Sequence, residues 1–213
     1  DVYKRQILHH AIMNVLEPIW VSTFTADTYS CIKNRGIHAA AKKVKQALRE
    51  DPEGTTFCLK LDIRKFYPSI NHDVLKSILR RKLKDKRLLR LLDEIIDSAD
   101  GVPIGNYLSQ YFANLYLTYF DHWIKEQKRG KHYFRYADDI VILASDKSYL
   151  HSLMGEIRAY LGDLKLEVKG NWQVFPVAAR GIDFVGYVFF HTHTRMRKGI
   201  NCLLYTSDAA DEL

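Results

Sequence analysis

The apolar positions divide the chain into short helical and strand-like pieces separated by polar turns. Ile7 to Glu17 reads as a helix that Pro18 stops, because proline lacks the N–H that the next turn needs. His38 to Glu50 predicts a second helix, closed by the turn Asp51-Pro52-Glu53-Gly54. Thr55 to Asp62 has the character of a short buried strand. Asn71 can cap a helix running to about Lys84, with Asp73 in its first turn, and a further helix covers roughly Arg87 to Ser98. Gly101 to Gly105 must be a loop, and a long helix then carries Leu108, Phe112, Leu115, Tyr119 and Trp123 on one face. Tyr133 to Tyr136 and Ile140 to Ala144 predict a hairpin with Ala137-Asp138-Asp139 at its tip. A helix from about Ser148 to Leu161 follows, then strand-like pieces at Leu164–Lys169, Trp172–Pro176 and Phe184–Phe190. The order strand, helices, hairpin, helix, strand suits an α+β fold, an antiparallel sheet with helices on one face. It is compatible with a split β-α-β pattern, and no boundary between independent domains is visible.

Composition adds limits. The 213 residues are 47% apolar, enough for a packed core, and no stretch approaches the ~18 unbroken apolar residues of a membrane span. Nothing at the start resembles a signal peptide, and the three cysteines, at 31, 58 and 202, have no metal spacing, which points to a reducing cytoplasm. The two ends stand apart. Residues 1–6 and 202–213 look like translations of the two senses of one transposon adapter used in sequencing libraries, so both are set aside as scars. Without them the basic residues fall from 32 to 30 and the acidic ones from 25 to 21, and the net charge rises from +7 to about +9. A basic surface favours phosphate backbones, although charge alone fits a soluble basic domain equally well.

Tyr136-Ala137-Asp138-Asp139 is the strongest chemical signal. Adjacent aspartates at a hairpin tip repel each other, and a divalent cation such as magnesium would compensate them. A bare pair is more often an ordinary turn. Asp62 changes that balance, because it ends the apolar strand Leu59-Lys60-Leu61 where a carboxylate can reach a metal at the edge of the sheet. Three carboxylates from two strands can hold two cations about 3.5–4 Å apart, the arrangement that in-line phosphoryl transfer needs.

Four blocks carry a family resemblance: Asp62-Ile63-x-x-Phe66-Tyr67; Pro103-Ile104-Gly105-x-x-x-Ser109-Gln110-x-x-Ala113-Asn114; Tyr136-Ala137-Asp138-Asp139; and Gly181-Ile182-Asp183-Phe184-Val185-Gly186-Tyr187. In this order they resemble bacterial reverse transcriptases, over roughly Ile7 to Lys198. The resemblance implies a right-hand polymerase, with partial fingers at 7–54, the palm at 55–190, the start of a thumb connection at 191–201 and the thumb essentially missing. It makes Asp62, Asp138 and Asp139 metal-binding catalytic carboxylates, helped by the Ile63 carbonyl, for two Mg2+ ions that Mn2+ could replace. Tyr67 resembles the aromatic that excludes a ribose 2′-hydroxyl; core packing is the alternative, and Phe66 could exchange roles with it. Ile104, Gly105, Ser109 and Gln110 resemble the block at the templating pair. Lys169 resembles a lysine that protonates pyrophosphate, and Arg35 one that contacts the triphosphate; either could instead be a solvated cation. Gly186 and Tyr187 resemble the primer-grip hairpin, with a core-strand tyrosine as the alternative. His191 and His193 lack partners nearby in sequence and are not expected to bind metal.

The implied partners are a template RNA, a DNA or RNA primer and deoxynucleoside triphosphates, with no membrane. Ile104 stands where group II intron enzymes usually have glutamine, which resembles the enzymes of diversity-generating retroelements and implies a small basic accessory protein. Ile32, where intron enzymes often have arginine, is a departure in the fingers block. Retron, group II intron-like and phage-defence enzymes share the aspartate core. Two readings of other classes stay open: an inactive RNA-binding palm and an RNA-templated RNA polymerase. Intact aspartates argue against the first, and the bulky Tyr67 against the second.

Overall fold

A computed structural model of the chain describes residues 2–102 and 107–197. The first half runs α1 (Val2–Val21), β1 (Thr28–Tyr29), α2 (Ile37–Glu50), β2 (Phe57–Asp62), α3 (Phe66–Ser69), α4 (His72–Lys82), α5 (Lys86–Ile96) and α6 (Tyr107–Tyr116). After α7 (Thr118–His122) and a π-helical turn at Trp123–Gln127 come β3 (His132–Tyr136), β4 (Asp139–Ala144) and α8 (Lys147–Asp163). The chain then continues through β5 (Gln173–Pro176), α9 (Val177–Arg180), β6 (Ile182–Phe184), β7 (Tyr187–Phe189) and β8 (Thr194–Met196).

The fold is α+β, as expected. The main sheet has the order β1-β3-β4-β2-β5, and β6, β7 and β8 form a second, antiparallel sheet. Every pairing in the main sheet is antiparallel except β1 with β3, which is parallel and makes the sheet mixed. Alternation along the strands builds two cores. Leu59 and Leu61 of β2 and Ile140 and Ile142 of β4 face one cluster, shared with α1, α4 and α6 through Leu16, Trp20, Leu75 and Tyr111. Cys58, Val141 and Leu143 face the other, formed with α2 (Ala40, Val44, Leu48) and the second sheet (Ile182, Phe184, Phe189). To the expected helical layer the structure thus adds a cover on the opposite face.

Local chemistry explains several boundaries. The Asn71 side chain accepts from Val74 N at 3.1 Å and starts α4, and Asp85 accepts from Leu88 N at 2.8 Å and starts α5. Four expectations need correction. The first helix does not stop at Pro18 but runs to Val21 with that proline inside it. Proline in a helix interior costs about 3 kcal/mol; Trp20, beyond it, is fully buried with its ring centroid 5.7 Å from that of Phe112, and this packing offsets the loss. The long helix after Tyr107 is broken at Leu117 (φ −96°, ψ 0°), and α7 starts after it. Leu164–Lys169 forms no strand; it makes one antiparallel bridge, Val168 to Ile63. Phe184–Phe190 is not one strand but a hairpin, turned at Val185 (φ 46°) and Gly186 (φ 87°).

Candidate active site

The β2–β4 register places Asp62 directly opposite Asp139, and Leu61 opposite Ile140. Directly opposed residues in an antiparallel pair have Cα atoms about 4.5–5.5 Å apart, with their side chains on the same face. Lys60, two residues before Asp62, shares that face. Asp138 lies in the two-residue connection between β3 and β4, and its carbonyl accepts from Ile63 N at 3.3 Å, fastening the hairpin tip to the end of β2. Asp62, Ile63, Asp138 and Asp139 are therefore neighbours, although 76 positions separate the first and third in sequence.

Burial pushes the Asp139 carboxyl up to about 6; Lys60 opposes the shift, while the charges of Asp62 and Asp138 add to it. The Lys60 ammonium forms an ion pair with Asp139. Lys169 is brought to Asp62 by the loop after α8: its backbone N donates to the Asp62 carbonyl at 2.9 Å, and its Nζ lies 3.8 Å from Asp62 Oδ1. A polar cleft of about 460 Å³ opens over this face, lined among others by Lys60, Asp62, Asp139, Gln173, Arg180 and Asp183. Among the described residues no three histidine, cysteine or carboxylate side chains are gathered around one point. Asp62 and Asp139 line this cleft, and carboxylate oxygens are hard donors of the kind that suit magnesium. Asp139 would exchange its Lys60 partner for such a cation.

The other residues singled out in the sequence lie in four places. Tyr67 lies in α3, five residues after Asp62, and its half-buried phenol is pushed up by burial, then by the charges of Cys31 and Asp138. Phe66 is buried beside it, with ring centroids 5.5 Å apart. Arg35 sits in the loop before α2, where its guanidinium donates to the Thr25 carbonyl at 2.8 Å. Ser109 is buried on α6 and Gln110 half-buried, while Ile104 and Gly105 lie outside the described residues. Gly186 and Tyr187 form the β6–β7 turn and the start of β7 on the second sheet.

Sequence reasoning missed a buried ion pair beneath the hairpin. Arg135 and Asp121 are each fully buried and bonded at two points, Nε to Oδ1 at 2.8 Å and Nη2 to Oδ2 at 2.6 Å. Tyr133 and Thr28 also donate to Asp121, at 2.5 and 2.8 Å. Arg135 Nη1 donates to Asn114 Oδ1 at 3.1 Å and to the Ala137 carbonyl at 3.0 Å. Ala137 has φ 54°, a conformation costly for any residue with a Cβ, so the guanidinium holds the strained residue beside the two aspartates. Lys60 was legible from strand alternation alone, as the residue two before Asp62; Arg135 gave no such signal, since arginine in a strand is ordinarily exposed.

Residues 3–189 match the family described as reverse transcriptase (RNA-dependent DNA polymerase). The chain belongs to the reverse transcriptase family. Among bacterial relatives, this reverse transcriptase chain is 25% identical over 237 residues to protein YkfC of Escherichia coli K12, covering 90% of this chain and 62% of that protein. It is 32% identical over 139 residues to the retron Ec48 reverse transcriptase of Escherichia coli, covering 62% of this chain and 34% of that one. The group II intron-encoded protein LtrA of Lactococcus lactis is 23% identical over 137 residues, 59% of this chain and 22% of LtrA. The chain thus spans between 22% and 62% of the length of these relatives. Its fold is shared with telomerases: TM-score 0.66 at 14% identity for that of Candida tropicalis with a TWJ fragment of telomeric RNA, covering 88% of this chain and 37% of that one. For the Candida albicans telomerase with the same kind of RNA fragment the TM-score is 0.62 at 15% identity, covering 91% and 37%. The architecture is a polymerase palm with part of the fingers. Among the described residues no helix is long and apolar enough to cross a membrane.

Proposed function

We propose that this chain carries the polymerising site of an RNA-directed DNA polymerase that extends a primer 3′ end with deoxynucleotides on an RNA template. The supporting observation is the pairing of Asp62 with Asp139 across β2 and β4, with Asp138 fastened alongside through Ile63. A bound pair of magnesium ions would supply charge neutralisation and an activated primer hydroxyl for in-line phosphoryl transfer. The chain's own residues do the rest of the work. Asp62, Asp138 and Asp139, with the Ile63 carbonyl, would hold the cations. Lys169, whose Nζ lies 3.8 Å from Asp62 Oδ1, would donate its proton to the leaving pyrophosphate. Tyr67, five residues after Asp62 at the start of α3, narrows the space for the incoming sugar and disfavours a 2′-hydroxyl. Arg35 binds triphosphate, Ile104, Gly105, Ser109 and Gln110 contact the templating pair, and Gly186 and Tyr187 hold the primer.

The subtype we favour is the enzyme of a diversity-generating retroelement, working with a structured template RNA and a small basic accessory protein. Ile104 offers only van der Waals contact near the templating pair, so mispair discrimination is weaker than with glutamine. A retron enzyme is the second reading, favoured by the 32% identity to the retron Ec48 enzyme. Primer extension on a defined RNA template, with the intact protein, tests all of this together. Extension should require Mg2+ or Mn2+, prefer deoxynucleotides, misincorporate opposite adenines and become more accurate in Ile104→Gln. Asp138→Asn should lower the rate by at least about 10²-fold. An Asp138→Asn protein as active as the parent would sink the metal assignment, and an unchanged adenine error rate in Ile104→Gln would sink the subtype.

A further inference from the structure

The short helix α3, which carries Tyr67, is held from outside by the loop that follows α5. Gly101 of that loop has φ 61° and packs closely on α3. A Cβ on it would come within 2.6 Å of the Pro68 carbonyl oxygen and 2.7 Å of the Tyr67 carbonyl oxygen. Val102 N donates to the Tyr67 carbonyl at 3.0 Å, and Val102 itself is buried in the core. Gly101 and Val102 thus form a strap against the Tyr67–Pro68 backbone. The strap is also the last described stretch before the block of Ile104, Gly105, Ser109 and Gln110.

His72 fixes the strap. It is the first residue of α4, and the start of that helix is anchored twice. Asn71 Oδ1 accepts from Val74 N at 3.1 Å, and Asn71 N donates to the Tyr116 hydroxyl at 3.3 Å. From this anchored point the half-buried ring reaches two acceptors. Nε2 lies 3.0 Å from the Gly101 carbonyl, and Nδ1 lies 3.2 Å from Oδ1 of Asp97, the residue that ends α5. A carbonyl and an ionised carboxylate only accept, so a ring bonded to both carries a proton on each nitrogen. A cation in the first turn of a helix opposes the helix dipole, and the Asp97 carboxylate offsets that cost. Lys76, one turn further along α4, bonds the same carboxylate at 2.6 and 2.7 Å. The Lys76 bond, and then that of His72, hold the Asp97 carboxyl below its ordinary range. One ring therefore clamps both ends of the five-residue connection from Asp97 to Gly101.

We propose that His72 is a positioning residue for nucleotide selection: it clamps Gly101 to Asp97, seats the strap on the Tyr67–Pro68 backbone, and so holds Tyr67 where it disfavours a 2′-hydroxyl. Its bonds go to Gly101 and Asp97, so it acts on the sugar only through the strap. The inference rests on the reading of Tyr67 as the residue beside the incoming sugar. Breaking the clamp spares the carboxylates, because Asp62, Asp138 and Asp139 are joined through β2, β4 and Ile63 rather than through α4 or α5. The loss falls on discrimination between sugars and not on the rate with the correct one.

The test is single-nucleotide primer extension by the intact protein on a defined RNA template with Mg2+. A deoxynucleoside triphosphate is compared with its ribonucleotide counterpart, each over a concentration series. His72→Ala should narrow the ratio of the two kcat/KM values by about 10-fold, the worth of one charge-assisted hydrogen bond. The change should come mainly from a lower KM for the ribonucleotide, with kcat for the deoxynucleotide altered by less than about 3-fold. His72→Arg, which can donate to Gly101 and Asp97 together, should restore most of the ratio. Gly101→Ala displaces the strap while leaving His72 intact; it should reproduce the loss, and combining it with His72→Ala should add little. His72→Gln keeps one donor and should lose part of the ratio, which covers the case in which His72→Ala does not fold. Asp73→Asn is the control: it weakens the first turn of α4 away from the strap and should keep the parent's ratio even where it melts earlier. A parent-like ratio in His72→Ala, or an equal loss in Asp73→Asn, would overturn the proposal. Amide exchange adds a readout independent of chemistry. The Val102 N–H should exchange faster in His72→Ala than in the parent, and unchanged protection would remove the clamp. Extension by the parent with an unaltered ratio in the variants removes only the His72 assignment. A parent without Mg2+-dependent extension removes the polymerase reading and the sugar gate together, and the exchange rate then decides whether the clamp exists.

Discussion

Arg135 is the residue on which the hairpin depends most, because it is charged at zero exposure and its partner Asp121 is equally buried. Removing one member of a buried pair strands the other's charge, at a cost of about 3–5 kcal/mol. We expect Arg135→Gln and Asp121→Asn each to destabilise by that amount in urea unfolding, and Arg135→Met with Asp121→Leu together to cost less than the sum. Asn114→Ala should have a smaller effect, because Arg135 keeps its bonds to Asp121 and Ala137. If either single variant unfolds like the parent, Arg135 is not holding the Ala137 turn. At this scale the sequence was partly legible. Carboxylates standing next to each other, or ending a strand, attract notice because their charge needs an explanation. Arg135 escaped, since its counterion comes from α7, and nothing local in Tyr133-Phe134-Arg135-Tyr136 announces it.

Elements are joined by similar contacts nearer the surface. Asp51, the residue ending α2, accepts from His132 Nε2 at 2.8 Å, Lys131 Nζ at 2.6 Å and Gly54 N at 3.0 Å, so it ties α2 to the start of β3. The His132 bond, then that of Lys131, holds its carboxyl well below the usual range. A depressed carboxyl contributes stability above its ordinary value, and that contribution fades as pH falls towards the folded value. Asp51→Asn should therefore melt below the parent at pH 7, with the gap closing below about pH 4. A gap independent of pH would assign the loss to packing rather than charge. Helices with side-chain caps, such as α4 and α5, were legible because their signals are local. The run of α1 through Pro18, the break at Leu117 and the reduction of Leu164–Lys169 to a single bridge were not, because distant packing decides each of them.

For the whole molecule, the sheet between two cores was only half visible in the pattern. Leu59, Leu61, Ile140 and Ile142 announced a buried face, whereas the second cover, of α2 and β6–β8, is made by residues far apart in the chain. Surface character also belongs to this scale. Leu8, Val15 and Ile19 of α1 are 40%, 65% and 41% exposed and fall on one side of the helix. Such a stripe favours self-association. Val15→Glu with Ile19→Lys should raise the monomer fraction in light scattering with little change in melting temperature, while a drop in melting temperature would mean that the stripe is packed. The pairing of Asp62 with Asp139 has one more consequence. The chemistry is addressed by odd and even places along β2, so a single codon gained or lost between Cys58 and Leu61 would swap inside for outside. Lineages descended from this chain can exchange letters in that segment but cannot change its count.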